Sequence, residues 1–319
     1  MANPAQRVRR HIVKLVASSV VRGSHQGESH GGVYLVDFDK QSARQTVDFN
    51  TRDIDWRGHG GDRGLRGIAF DGDTIYVAGS DELFAYTPEF GLINSWRCPF
   101  LNHCHEIAVW DRVLYLTSTA YDSILGFDLD QKRFHWAMRV ATQNFRFKAE
   151  IFDPMSNDGP LMINKLHINN VHCTKHGMYI TGLNSGGMLH FNGEKINMAV
   201  ELPPGTHNAQ PFRDGVLFND SKANALRYTG RSEDNEDRAM VMPTYESEVF
   251  QQRDAANDCG ATAGFARGLC VVSERLVAGG SSPATIALHD LRANETLGSV
   301  NLSMDLRNAI HGLEVWPFN

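Results

Sequence analysis

The sequence is poor in the features that mark several common protein classes. Its five cysteines (Cys98, Cys104, Cys173, Cys259, Cys270) are odd in number, scattered and never in a C-x-x-C pair. That argues against a disulfide framework or a thiolate zinc site and favours a reducing compartment. No apolar run reaches the length of a membrane span. Basic residues are not in surplus: 31 Lys and Arg stand against 37 Asp and Glu, a net charge of -6, so nucleic acid is not an expected partner. Near the start, Arg7, Arg9 and Arg10 precede Ile12-Val13-Lys14-Leu15-Val16, but Lys14 interrupts the apolar stretch and no small-residue cleavage site follows. A secretory leader is therefore not expected, and the cytoplasm is the expected location. Serine nucleophile elbows and phosphate-binding loops are missing too. Gly279-Gly280-Ser281-Ser282 looks like a phosphate cradle, but no helix follows it to bind an anion. The Gly-rich stretch Arg57-Gly58-His59-Gly60-Gly61-Asp62-Arg63-Gly64 has the wrong spacing for a dinucleotide fingerprint.

What the chain does have is a repeat. Short β-rich runs separated by turn residues recur along its length, without the 3.6-residue periodicity of helices. Five segments share one layout: a polar anchor with a short apolar run, a turn, a strand, a Gly/Ser/Asn-rich loop and another strand. They open at Arg66-Gly67-Ile68, His105-Glu106-Ile107, Asn169-Asn170-Val171, His207-Asn208 and Arg267-Gly268-Leu269. A sixth unit is split between the chain ends. His311-Gly312-Leu313-Glu314-Val315-Trp316 reads as an opening strand with nothing after it, and the first fifty residues supply the strands it lacks. The expected fold is all-β, a six-bladed β-propeller with four strands per blade. The C-terminal strand joins the N-terminal blade, and residues 1–319 form one domain. Two long connections, 141–168 and 245–266, are expected on the face where the anchors gather.

In ring order the anchors are His311, Arg66, His105, Asn169, His207-Asn208 and Arg267. Three histidines fall on alternate blades, about 120° apart round the axis, the disposition that lets three imidazoles converge on one ion with an open position. His105, His207 and His311 are thus the expected ligands of a divalent metal; tris-imidazole suits zinc, iron or copper, and the sequence does not choose among them. His172 lies further along its strand and is a candidate fourth ligand or a partner that fixes an imidazole tautomer. With 14 histidines in the chain, chance placement of some near the axis as ordinary hydrogen-bonding residues is the competing reading. His167 is assigned to the long connection, and His289 to a column otherwise filled by aromatic residues. Arg66 and Arg267 suit a carboxylate or phosphate on a small-molecule substrate, or else structural pairing with Glu106 and Glu314. Glu106 is also a candidate general base beside a metal-bound water. Tyr121, Asp122 and Asn219-Asp220-Ser221-Lys222 are candidate substrate contacts on loops of the same face.

The phrases Gly205-Thr206-His207-Asn208-Ala209-Gln210-Pro211, Gly264-Phe265-Ala266-Arg267-Gly268-Leu269 and Leu166-His167-Ile168-Asn169-Asn170-Val171 resemble those of a bacterial family of conserved hypothetical six-bladed propellers. The resemblance runs from about residue 60 onward and implies the fold without a reaction. In architecture the chain is also similar to the peptidyl-amidoglycolate lyase propeller, where three channel histidines hold zinc beside an arginine and a tyrosine. That similarity implies comparable roles for His105, His207, His311 and Arg66, although this chain lacks the disulfide-supported character of those enzymes. The expected function is a metal-dependent lyase or hydrolase acting on a small anionic substrate. An iron- or copper-dependent oxygenase is the alternative, and a non-enzymatic propeller that binds a ligand or protein is the other.

Overall fold

The computed structural model describes residues 13–50, 63–231 and 237–318. His59 and most of its Gly-rich segment, Arg7, Arg9, Arg10 and His11 lie outside the described residues. Six antiparallel sheets form the blades of a propeller. The first blade contains β1 (Lys14–Val21), β2 (Gly32–Asp37) and β3 (Ser42–Asp48). The second holds β4 (Ile68–Asp71), β5 (Thr74–Ala78), β6 (Glu82–Tyr86) and β7 (Leu92–Arg97). The third holds β8 (Ile107–Trp110), β9 (Val113–Ser118), β10 (Ser123–Asp128), β11 (Arg133–Gln143) and β12 (Arg146–Phe152). The fourth comprises β13 (Ile168–Thr174), β14 (Gly177–Gly182), β15 (Gly187–Phe191) and β16 (Ile196–Glu201). The fifth comprises β17 (Thr206–Phe212), β18 (Gly215–Asp220), β19 (Ala225–Gly230) and β20 (Arg238–Val241). The sixth has β21 (Gly264–Val271), β22 (Leu276–Ser282), β23 (Thr285–Asp290) and β24 (Glu295–Asn301). β25 (Asn308–Val315) completes the first blade from the other end of the chain, in the order β25-β1-β2-β3.

Closure rests on the antiparallel pairing of β25 with β1, where Leu15 faces Val315 and Ala17 faces Leu313. The apolar core is divided among the seams between blades. Val16 and Val33 of the first blade pack on Ile68, Ile75 and Val77 of the second. Ala69 and Tyr76 pack on Leu114, Leu116 and Phe127, and Ile124 and Met138 on Ile168, Ile180 and Leu189. The remaining seams are built in the same way, ending with Cys270 and Ile286 against Leu15 and Leu313. Alternating apolar residues on each strand serve two neighbours at once, so no blade buries its faces alone.

One expectation is revised. The stretch 141–168 is not one open connection: β11 extends to Gln143 and returns as β12, a fifth strand on the third blade, leaving 153–167 as the loop. The alternation Phe147, Ala149, Ile151 against Arg146, Lys148, Glu150 is the period-2 pattern of a half-buried strand, and Phe147 and Ala149 pack against the seam with the fourth blade. The second connection contains a short helix, α1 (Arg253–Asp258), and an isolated bridge from Gln251 to Asp305.

Glycine follows three anchors because the first strands abut round the axis. A Cβ on Gly312 would lie 2.3 Å from the Arg66 carbonyl oxygen, and one on Gly67 would lie 2.6 Å from the Ile107 nitrogen. Both obstacles are backbone atoms that cannot step aside. Gly312→Ala is expected to destabilise the chain by about 1–3 kcal/mol, the usual cost of overpacking a tight site. Chemical denaturation of the variant beside wild type measures it; an unchanged midpoint and slope would contradict this account of the seam.

Candidate functional site

The anchors converge at the entry end of the channel. His105, His207 and His311 are each at most 4% exposed, and Arg66 is fully buried. Two of the imidazoles are held by the same device. His105 Nδ1 lies 2.8 Å from Thr119 Oγ1 and 3.0 Å from the His103 carbonyl. His207 Nδ1 lies 2.7 Å from Ser221 Oγ and 3.1 Å from the Gly205 carbonyl. A carbonyl only accepts, so Nδ1 carries the proton in both rings and the lone pair is on Nε2. Each hydroxyl passes its own proton onward to the next blade, Thr119 to the Ile168 carbonyl and Ser221 to the Ala266 carbonyl. A Thr or Ser on the loop between the second and third strands thus fixes the ring and ties two blades together.

The Nε2 atoms differ in what they meet. Arg66 Nη1 donates to His105 Nε2 at 3.3 Å, and Arg267 Nη1 donates to His311 Nε2 at 3.0 Å. His207 Nε2 is buried and has no hydrogen-bond partner among the described residues. Burial pushes the His105 and His207 imidazoles well below their ordinary value. Arg66 and the neighbouring rings of His103, His167 and His311 add to the effect at His105, as Arg267, His167 and Arg22 do at His207. The nearby charges that act on these two rings are cationic, so both are neutral near pH 7.

Two residues outside the expected ligand set belong to the cluster. His167 lies 5.3 Å from His105 and 5.7 Å from His103 between ring centroids, while His105 lies 4.8 Å from His103 and 5.7 Å from His311. Both His103 and His167 have left-handed backbone (φ 57° and 54°), as has Phe265 (φ 67°). For bulky side chains that conformation costs energy and gathers at functional sites. His167 is held there by Asp122, whose carboxylate accepts the backbone N–H groups of Lys165, Leu166 and His167 at 2.6–3.1 Å. Phe265 lies under the Arg267 guanidinium at 4.4 Å, under that of Arg22 at 5.5 Å, and edge-on to His207 at 5.6 Å.

Other expected site residues lie elsewhere. Tyr121 packs edge-on against Phe100 at 5.3 Å in the seam between the second and third blades. Asn169 ties its strand to the Thr206 carbonyl, and Asn208 links Glu106, the Gly268 amide and Asn219. Asp220 is 3.2 Å from Arg227, a pair within its own blade. His289 is buried beside Thr296. Arg66 and Arg267 meet imidazoles rather than Glu106 and Glu314 at the distances above.

Glu106, Glu314 and His172 are grouped at the far end of the channel, in a cavity of about 290 Å³ that Asn170, Asn208 and Gln210 also line. The structure does not bring His172 to the anchor histidines; each step along β13 moves the side chain further down the channel. Burial raises both Glu106 and Glu314 to about 8; at Glu106 the Glu314 carboxyl adds to the rise and the Asn208 amide opposes it. Among the described residues, no group of three or more His, Cys, Asp or Glu side chains is placed to hold a metal ion.

The chain matches no family model and no curated protein. Solved structures share its fold. A chain of a nidogen/laminin complex aligns over 95% of this chain and 98% of its own, at 10% identity and a TM-score of 0.56. A Bacteroides caccae protein of unknown function aligns over 95% and 98%, at 9% identity and a TM-score of 0.57. Virginiamycin B lyase from Staphylococcus aureus aligns over 72% and 68%, at 12% identity and a TM-score of 0.44. Identities this low speak for the propeller alone. No helix among the described residues is long and apolar enough to cross a membrane.

Two outcomes follow from these environments. Ser221→Ala removes an acceptor from His207 and a donor from the Ala266 carbonyl, at an expected cost of about 1–3 kcal/mol for buried groups left unpaired. Denaturant unfolding reads the loss, and imidazole nitrogen NMR is expected to show the His207 Nδ1–H tautomer only in the wild type; a mixed tautomer in both would refute the assignment. The second outcome concerns pH. Glu106 and Glu314 keep their protons in the native chain to about pH 8, while the unfolded chain loses them near the ordinary 4.5. The stability they contribute is full below about 4.5 and is lost as pH rises towards 8. His172, Cys173 and Cys270 are the other titratable groups beside them. The thermal midpoint of Glu106→Gln/Glu314→Gln is expected to fall less than that of wild type between pH 5 and pH 8; parallel curves would count against burial as the cause.

Proposed function

We propose that the entry end of the channel is an active site for a small anionic substrate. The carrying observation is the pairing of two guanidiniums with imidazoles, Arg66 on His105 and Arg267 on His311, beside the unpartnered Nε2 of His207. A carboxylate entering this pocket replaces imidazole as the acceptor for Arg66 and Arg267, forming charge-assisted bonds in a cationic surround. Phe265 supports the Arg267 guanidinium and limits its movement. His207 then accepts a proton at Nε2. Its Nδ1–H, held by Ser221 and the Gly205 carbonyl, keeps the ring oriented and stabilises the imidazolium that results. The bound anion also offsets the positive field that depresses the His207 ring, which brings it towards the range where a base works near neutral pH. Proton abstraction leading to elimination, or activation of water for hydrolysis, is the class of reaction this arrangement supports. The free state of all five cysteines supports a reducing, cytoplasmic setting.

A second reading keeps the metal. It is favoured by the fixed Nδ1–H tautomers of His105 and His207, the form in which imidazole presents Nε2 to an ion. As the side chains stand, the lone pairs of His105 and His311 are directed at guanidiniums. Zinc, iron or copper on His105, His207 and His311 therefore requires both arginines to turn aside.

Thermal-shift titration of untagged protein with small mono- and dicarboxylates, beside elemental analysis, separates these readings. Stabilisation by carboxylates that weakens about 10- to 100-fold in Arg66→Gln or Arg267→Gln is expected, the loss of one charged hydrogen bond each. Insensitivity of that binding to either substitution would overturn the anion site. Near-stoichiometric metal that disappears from a folded His105→Ala/His207→Ala/His311→Ala variant would transfer the reading to the metal, and a need for O₂ would make it an oxygenase. Carboxylate binding without turnover on any tested substrate would leave a ligand-binding propeller.

A further inference from the structure

β12 stands apart from the other outer strands. It is the fifth strand of a blade in a ring whose other sheets have four, so its edge lies about one strand spacing, roughly 4.8 Å, further out. Among the described residues, its backbone pairs with β11 on one side, and no hydrogen bond leaves its other side. Near it, apolar side chains face solvent: Phe145 at the turn into the strand is fully exposed, Ile151 is 58% exposed, and Leu161, Met162 and Ile163 on the following loop are exposed as well. A monomer that leaves an extended edge and such side chains open presents a template for another strand.

The sequence of this edge, Arg146-Phe147-Lys148-Ala149-Glu150-Ile151-Phe152, is complementary to itself. Laid antiparallel on a second copy with Ala149 opposite Ala149, Lys148 of each chain faces Glu150 of the other, twice over. Phe147 faces Ile151, and Arg146 faces the Phe152 ring. Within one chain Lys148 and Glu150 sit 3.4 Å apart and line one hollow with Ile163. Glu150 also sits 3.6 Å from Arg139 of β11, and the partner's Glu150 and Lys148 arrive on the same face and extend this charged cluster across the seam. A two-residue shift that sets Glu150 opposite Glu150 leaves no opposite-charge pair, and the reverse shift, which sets Arg146 opposite Glu150, also sets Lys148 opposite Lys148; the centred pairing alone has Lys–Glu pairs and no like charges face to face.

We propose that β12 is an interface for a second copy of this chain, forming a two-fold dimer through antiparallel β12–β12 pairing that joins two third blades into one continuous sheet. An edge-to-edge contact of this kind is isologous, closes on itself and does not propagate into a filament.

The test is molar mass by light scattering across a concentration series, on wild type, Lys148→Glu, Glu150→Lys and the double exchange. Wild type is expected to reach the mass of two chains. Each single exchange sets like charges opposite one another and is expected to weaken association at least about 10-fold, and the double exchange restores the pairing and the dimer. Amide hydrogen exchange of the wild type gives a second readout that needs no variant: β12 amides gain protection as concentration rises. Wild type that stays monomeric throughout overturns the proposal. So does a dimer that survives both single exchanges with β12 amides unprotected, since it would use another face.

Discussion

The structure depends on one closure. Until β25 pairs with β1, the first blade lacks its innermost strand, and the seams on both sides of it are open. Each seam takes apolar residues from two blades, so no sheet is buried by its own residues. The entry-end site inherits this dependence. His311 is carried by β25 itself, and Ser18 of β1 accepts the Gly312 amide while donating to the Arg66 carbonyl. The closing strand therefore carries part of the site, and the contact that completes the ring also completes it.

Much of the architecture was legible because a propeller writes itself as a repeat. The anchors, the period of the strands and the split sixth unit placed six blades and the closing strand, and the structure has them. β12 was not legible because its alternation was read as part of a long connection; one face of it carries three charges that look like loop composition. The His and Arg anchors do gather, since they sit on or just before the strands that line one axis. What each side chain does there was beyond one-dimensional pattern. Arg66 and His105 are 39 residues apart, and the guanidinium on the imidazole comes only from the curvature of the ring.

His167, assigned to the long connection, and His103 stayed outside the expected ligand set for a definite cause. Both precede their strands in left-handed backbone, and neither shares the register that singled out the anchors. A signal was available in Asp122, a buried carboxylate that needs donors and finds them in the amides of residues 165–167. His172 shares the strand of an anchor, but a β-strand rises about 3.3 Å per residue, and three residues place it in the far cavity. Glu106, one residue past His105, already lines the far cavity.

The far cavity gives the channel a polarity of its own. At one end lie Arg66, Arg267 and a set of imidazoles; at the other lie two carboxyls that hold their protons until about pH 8. In neutral solution the axis therefore carries charge at one mouth only. On the alkaline side the second mouth becomes negative, so the difference in charge between the two ends grows as the carboxyls lose their protons.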